Sequence, residues 1–264
     1  MQKAIVTGAS KGLGKAIAYE LAKKGYDLLL VARSEALLEQ VAKEISHKFP
    51  AKTFTLPTDL SKPEAAAIIE KWCEQQNFQP NVLVNNAGYA CWGMFDELSL
   101  EEQQAMMQVN LGTLVSLTYR LIPYLKKQPQ AFILNVASTT AFQPFPTMTL
   151  YGAGKSFVRM FSKGLRHELR HTTISVTCLT PGPVDTEFIN RAGMEAMKPT
   201  AEKFEMTPER VAQKGLKAMF NKKAEVIPGF TNLLLSKLTN LVPEHLQVKI
   251  VAGIYEKALQ KGKR

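Results

Sequence analysis

Tyr151 and Lys155 lie four residues apart, downstream of Ser138. On a helix an i, i+4 pair shares one face, so a phenol and an ammonium would stand side by side. Tyr has a reference pKa of about 10, and a close cation favours its phenolate. Lowering that value by about three units needs about 4 kcal/mol of differential stabilisation, within reach of one cation and one hydrogen bond. A serine hydroxyl can donate to an oxygen on which charge builds. Such a trio moves a proton on or off a carbonyl or alcohol oxygen. The spacing alone is a weak signal, because Tyr19 and Lys23 repeat it. Context separates the pairs: Ser138 stands where an apolar run ends, and Tyr151 opens a long helical pattern.

A second chemical signal is the run Thr7-Gly8-Ala9-Ser10-Lys11-Gly12-Leu13-Gly14, directly after Ala4-Ile5-Val6. Glycine permits a tight turn and close approach of backbone to phosphate, and a helix N-terminus offers unpaired N–H groups to an anion. The spacing is G-x-x-x-G-x-G, a variant of the dinucleotide fingerprint, and its place between strand and helix makes it usable. The second apolar run ends Val31-Ala32-Arg33. NAD-binding sheets commonly carry an acid near this point for the ribose hydroxyls. Arg33, with Lys11 in the loop, favours a 2′-phosphate instead, and so NADP(H). The competing reading makes both residues ordinary surface cations. Glycine loop and Ser-Tyr-Lys trio together predict hydride transfer to or from a nicotinamide.

These groups need a frame. Strand-like runs fall near Lys3–Thr7, Tyr26–Ala32, Lys52–Pro57, Val82–Asn85, Ala131–Ala137, Ile174–Thr180 and Ala224–Ile227. Their Val/Ile/Leu content without alternation suits strands buried on both faces. Helical patterns cover Leu13–Lys24, Ser34–Lys48, Lys62–Gln76, Glu101–Lys127 (bent or interrupted) and Tyr151–His171. The alternation predicts an α/β fold: a Rossmann-type doubly wound, mainly seven-stranded parallel sheet with helices on both faces. One domain over residues 1–264 is expected. The segment Pro183–Met206, with Phe188, Met194, Met197 and Phe204, reads as a mobile flap over substrate or as a surface helix pair with a buried face. Residues 224–264 read as a last strand and a helical extension.

Composition is that of an ordinary globular chain, 45% hydrophobic and 21% charged. No apolar run reaches bilayer-spanning length, and no signal peptide is expected. Cys73, Cys91 and Cys178 are widely spaced, which suggests a reducing cytoplasmic setting and no metal cluster. The net charge is +10, yet the lysines are scattered without the aromatic-basic interleaving of RNA binders, so no nucleic-acid partner is expected. His47, His167, His171 and His245 lie outside the motifs and read as surface or packing residues.

With T-G-A-S-K-G-L-G at 7–14, Asp59-Leu60, N-N-A-G at 85–88, Asn110, Ser138, Y-G-A-G-K at 151–155 and P-G-P-V-x-T at 181–186, the chain resembles the short-chain dehydrogenase/reductase family over about residues 1–230. The resemblance implies a catalytic set of Asn110, Ser138, Tyr151 and Lys155. Asn110 would interrupt a helix and hold a water in a proton relay to Lys155, which would also bind the nicotinamide ribose. Tyr151 would give or take the proton. Asp59 would meet adenine, with Leu60 beside it; Asn86, Ala87 and Gly88 would lie near the adenosine ribose, and Asn86 is equally suited to bracing the central strands. Phosphate contacts fall to Gly8, Ser10, Lys11, Gly12, Leu13 and Gly14. Pro181, Gly182, Val184 and Thr186 would meet the nicotinamide carboxamide. Homodimers or homotetramers are implied, pairing through helices at about 111–127 and 151–171.

The leading expectation is reduction of a lipophilic ketone (3-oxoacyl or steroid-like) by NADPH. Substrate contacts are expected at Ser138, Thr140, Phe142, Phe145, Met148, Tyr151 and Met194, with Met197 adding to an apolar pocket. Oxidation of a secondary alcohol by the same residues is one alternative, and a cofactor-binding scaffold without turnover is another. The C-terminal extension, rich in leucine and ending in a basic tail, has three readings: packing on the sheet or a partner subunit, covering a long substrate, or peripheral contact with a membrane.

Overall fold

A computed structural model describes residues 2–184, 188–198, 202 and 205–262. Seven strands form one sheet: β1 Lys3–Thr7, β2 Asp27–Ala32, β3 Thr53–Pro57, β4 Val82–Asn85, β5 Ala131–Val136, β6 Ile174–Leu179 and β7 Glu225–Val226. Their order is β3-β2-β1-β4-β5-β6-β7, and every pairing is parallel. The order reverses between β1 and β4, where the crossovers change faces and leave a crevice at the strands' carboxyl ends.

Helices fill both faces because alternate strand residues point opposite ways. Ala4, Val6, Leu28, Leu30, Val82 and Val84 join one core layer, with α1 (Gly12–Lys23) and α2 (Glu35–Lys48) against it. Ile5, Leu29, Val31, Leu83 and Ile133 join the other, under α3 (Ala65–Gln75), α5 (Thr113–Lys126) and α6 (Thr149–Glu168). The long helix expected over 101–127 is divided into α4 (Leu100–Met107), a π-helical turn at Gln108–Gly112, and α5. α3 begins later than Lys62 because Asp59 Oδ1 accepts from Ser61 N at 3.0 Å and Ser61 Oγ at 2.8 Å, and this turn competes with the helix.

The remaining helices are α7 (Phe188–Arg191), α8 (Pro208–Phe220), α9 (Phe230–Leu238) and α10 (Glu244–Gly262). α8 has no counterpart among the sequence-predicted helices. Thr207 Oγ1 caps it by accepting from Arg210 N, Pro208 starts it, and Val211, Ala212, Leu216 and Met219 bury its inner face on the first core layer. Between Pro183 and Met206 the described residues include α7, a 3₁₀ turn at Glu195–Met197, and an isolated parallel bridge joining Val184 to Met206. No described helix is long and apolar enough to cross a membrane.

Candidate active site

The glycine loop closes on itself at the crevice. Gly8 and Gly12 have φ of 67° and 50°, the left-handed region that glycine adopts cheaply. A Cβ on Gly14 would lie 2.1 Å from the Gly8 carbonyl oxygen, so the loop and α1 can meet only without one. Gly8 N donates to Val31 O at 2.7 Å, which ties the loop to the end of β2 beside Arg33. No side chain caps α1, so its first amides keep their positive end open to an anion. Leu13 packs inward against the first core layer. Ser10 is half-buried, and Lys11 and Arg33 are exposed.

Asn86 braces this loop. Its Nδ2 donates to Thr7 O at 3.0 Å and Gly8 O at 3.3 Å, while Thr7 Oγ1 accepts from the amides of Asn86 and Ala87. The bracing reading thus accounts for its side chain. The Leu60 side chain is buried in the second core layer, and its carbonyl accepts from Thr113 Oγ1 at 2.7 Å. Only the Leu60 amide is left to face a nucleotide. Burial pushes the Asp59 carboxyl up, but the Ser61 bonds and the nearby Arg33 charge outweigh it and hold the group below its ordinary value.

Ser138 lies two residues beyond the end of β5 and caps the 3₁₀ turn Thr139–Phe142, where its Oγ accepts from Thr140 N at 3.2 Å. Tyr151, on the first turn of α6, is 6% exposed, and its hydroxyl lies close enough to Ser138 to be influenced by it. Lys155 Nζ donates to Val136 O at 2.9 Å and lies 5.6 Å from the Tyr151 ring centre. The π-turn presents Asn110, whose Nδ2 donates to Tyr89 O at 2.9 Å and whose Oδ1 accepts from Tyr89 N at 3.1 Å. With its side chain clamped, Asn110 has its main chain, one Nδ2–H and one Oδ1 lone pair left for a relay water. The groups converge on Gly88: a Cβ there would stand 2.9 Å from Asn110 Oδ1 and 3.4 Å from Lys155 Nζ. Any side chain at 88 would fill the space these polar atoms share, and a nicotinamide ribose fits that requirement.

The electrostatics correct one expectation. The Tyr151 phenol is raised above its ordinary value, chiefly by burial; the Ser138 hydroxyl opposes this and nearby Tyr255 adds to it. Burial lowers Lys155 to about 8. Burial therefore dominates both groups, and in the protein alone the phenol keeps its proton.

Beside Tyr151 lies an apolar cluster. Ala90, Trp92, Met106, Met148, Ala192, Met194 and Met197 are buried in it, with Phe145, Phe188, Tyr255, Ala258 and Leu259 packed around. Phe188 is 5.7 Å from the Tyr151 ring and Tyr255 is 4.7 Å from Phe145, edge to face. Phe145, Met148 and Met194 thus gather as the sequence reading placed them. Phe142 does not join them: its ring lies under the Arg159 guanidinium at 4.3 Å, and Arg159 pairs with Glu225, so it faces β7. Thr140 Oγ1 is buried without a partner among the described residues. Tyr255 and Trp92 were outside the expected pocket. The stripe Val251, Tyr255, Ala258 shows that α10 has a buried face, but nothing local says that this face meets α6.

Pro181 is buried and its carbonyl accepts from Thr139 N at 2.9 Å; Gly182 packs against Asn232 of α9, where a Cβ would come within 2.5 Å. Val184 packs toward the first core layer. Thr186 lies outside the described residues. Among those residues no group of three or more His, Cys, Asp or Glu could hold a metal.

A dinucleotide-type loop and a Ser-Tyr-Lys site on one doubly wound sheet define an oxidoreductase class. The chain belongs to the short chain dehydrogenase family, whose model matches residues 2–192. It is 34% identical over 218 residues to an uncharacterised oxidoreductase of Staphylococcus saprophyticus, covering 82% of this chain and 90% of that one. It is 32% identical over 211 residues to a very-long-chain 3-oxoacyl-CoA reductase of Danio rerio, covering 78% of this chain but only 63% of the longer relative. A short-chain dehydrogenase of Sphingobium yanoikuyae, solved in complex with NADPH, matches with a TM-score of 0.81 and 29% identity over 87% of this chain and 89% of that one. Solved relatives include complexes with NADPH and with NADH.

Proposed function

We propose that the protein is an NADPH-dependent reductase of a lipophilic ketone, 3-oxoacyl or steroid-like, with Tyr151 as proton donor. One observation carries this reading: the Tyr151 phenol, the Ser138 hydroxyl and the buried Lys155 amine lie between a glycine gap on one side and an apolar cluster on the other. When bound, the reduced nicotinamide supplies a hydride to the carbonyl carbon. Ser138 Oγ and the Tyr151 hydroxyl hold the substrate oxygen, and Tyr151 gives it the proton. The Lys155 charge favours the phenolate left behind. The raised phenol suits reduction, since a donor must hold its proton at neutral pH.

The exposed Arg33 and Lys11 support NADP(H) over NAD(H), with the 2′-phosphate beyond the end of β2. Phe145, Met148 and Met194 support an apolar substrate, and the orphaned Thr140 hydroxyl supports a polar atom on it or on the cofactor. The three free thiols suit a reducing compartment such as the cytosol. Exposed Tyr119, Phe157 and Met160 on α5 and α6 suit a homo-oligomer paired there. The test is NADPH consumption with a panel of aldehydes, β-keto esters, 3-oxoacyl thioesters and steroids. Tyr151→Phe is expected to cut turnover on the order of 10²–10⁴-fold while NADPH still binds. Retained turnover in that variant would refute the assignment.

A further inference from the structure

Helix α9 is amphipathic the wrong way round. Its buried positions are Asn232 and Ser236, 7% and 5% exposed, while Phe230 at 79%, Leu234, Leu235 and Leu238 face outward. The inward polar groups are satisfied locally: Asn232 Nδ2 donates to Pro228 O at 3.1 Å and Ser236 Oγ to Leu233 O at 2.9 Å. Leu241, in the turn that follows, is 78% exposed. On α10 the residues Leu246, Ile250 and Ile254 recur every fourth position and are all exposed. α10 is fastened to the turn that follows α9 by Gln247 Nε2, which donates to Thr239 O at 2.8 Å and Val242 O at 2.6 Å. A surface of this apolar content on adjoining helices marks an interaction site.

Charge chooses the occupant. Residues 230–264 hold six Lys and Arg (237, 249, 257, 261, 263, 264) against two Glu (244, 256). Lys237, Lys249 and Lys257 are exposed on the same helices as the apolar residues. Two-fold pairing of such a face would set like charges together, and pairing has a separate apolar face available at Tyr119, Phe157 and Met160. An anionic bilayer instead attracts the lysines while its acyl boundary takes the Phe, Leu and Ile side chains. We infer that the α9–α10 pair docks this protein onto a lipid surface bearing anionic headgroups. The inner sides of the same helices reach the site, Asn232 at Gly182 and Tyr255 at Phe145, so docking brings the apolar cluster beside lipid.

The test is sedimentation of the full chain with phosphatidylcholine vesicles, with and without phosphatidylglycerol, and needs no turnover. Wild-type protein is expected to pellet with the anionic vesicles and to be released by high salt. Each lysine contributes about fivefold, so Lys237→Gln/Lys249→Gln/Lys257→Gln is expected to weaken anionic binding on the order of 100-fold. Phe230→Glu/Leu241→Glu is expected to abolish pelleting while its melting curve stays that of wild type, both positions being exposed. If the double variant melts early, Leu241→Glu alone serves, with at least a tenfold loss expected. The inference is overturned if wild type stays in the supernatant or if the apolar variants pellet unchanged. It is equally overturned if sedimentation velocity shows them splitting a wild-type oligomer, which would make the face a contact between copies.

Discussion

Lys155 holds a charge at a position only 5% exposed. Its value falls from 10.5 to about 8 through burial. The unfolded chain therefore binds that proton more tightly than the folded one. The resulting penalty, about 3 kcal/mol, is full below about pH 8 and fades as pH rises toward the ordinary lysine value. Replacing the side chain removes it but leaves the Val136 carbonyl without its donor, at a cost of about 1 kcal/mol. Lys155→Met is thus expected to be about 2 kcal/mol more stable at pH 7 and to melt several degrees higher, while losing turnover. A lower melting temperature would mean that the ammonium is a structural support and not a strained functional group. Reduction should follow the same titration, with kcat/KM falling as pH climbs through about 8. Tyr151, pushed the other way, keeps its proton throughout. The trio was legible as residue types at a spacing. The sign of the phenol's shift was not, because it depends on how much protein surrounds the ring.

At the scale of elements, the end of β2 sets which cofactor is taken. Arg33 follows a strand buried along its whole length, so its backbone is fixed while its side chain is exposed. Arg33→Asp is expected to weaken NADPH binding by at least tenfold and to spare or improve NADH, measured by fluorescence titration of each. An unchanged ratio would make Arg33 a plain surface cation. The strands were readable because apolar runs buried on both faces have few other interpretations, and β1 and β4 fall on their expected bounds. α8 was missed although its apolar stripe is pronounced and Thr207-Pro208 marks its start. Leu60 and Phe142 show a further limit: motif adjacency puts a residue near a site, but which way the side chain turns is decided by packing partners distant in sequence.

For the whole molecule, α10 joins the site's apolar cluster to a surface far along the chain. A chain ending at Val242 would lose Tyr255, Ala258 and Leu259 from around Phe145 and Met197. It is expected to bind NADPH normally, since the loop after β1 and the residues around Gly88 are untouched. Its KM for bulky apolar ketones should rise severalfold more than that for small aldehydes. Equal changes for both would mean that α10 only stabilises the fold.

The strand order also bears on how the protein is made. β1 pairs with β2 on one side and with β4 on the other, and Ala4 must wait for Val82. While a ribosome is still adding the stretch between them, the newborn chain presents Ala4-Ile5-Val6 as an open, greasy strand border, inviting a neighbouring polypeptide to zip onto it. That border closes only when β4 emerges and pairs with β1.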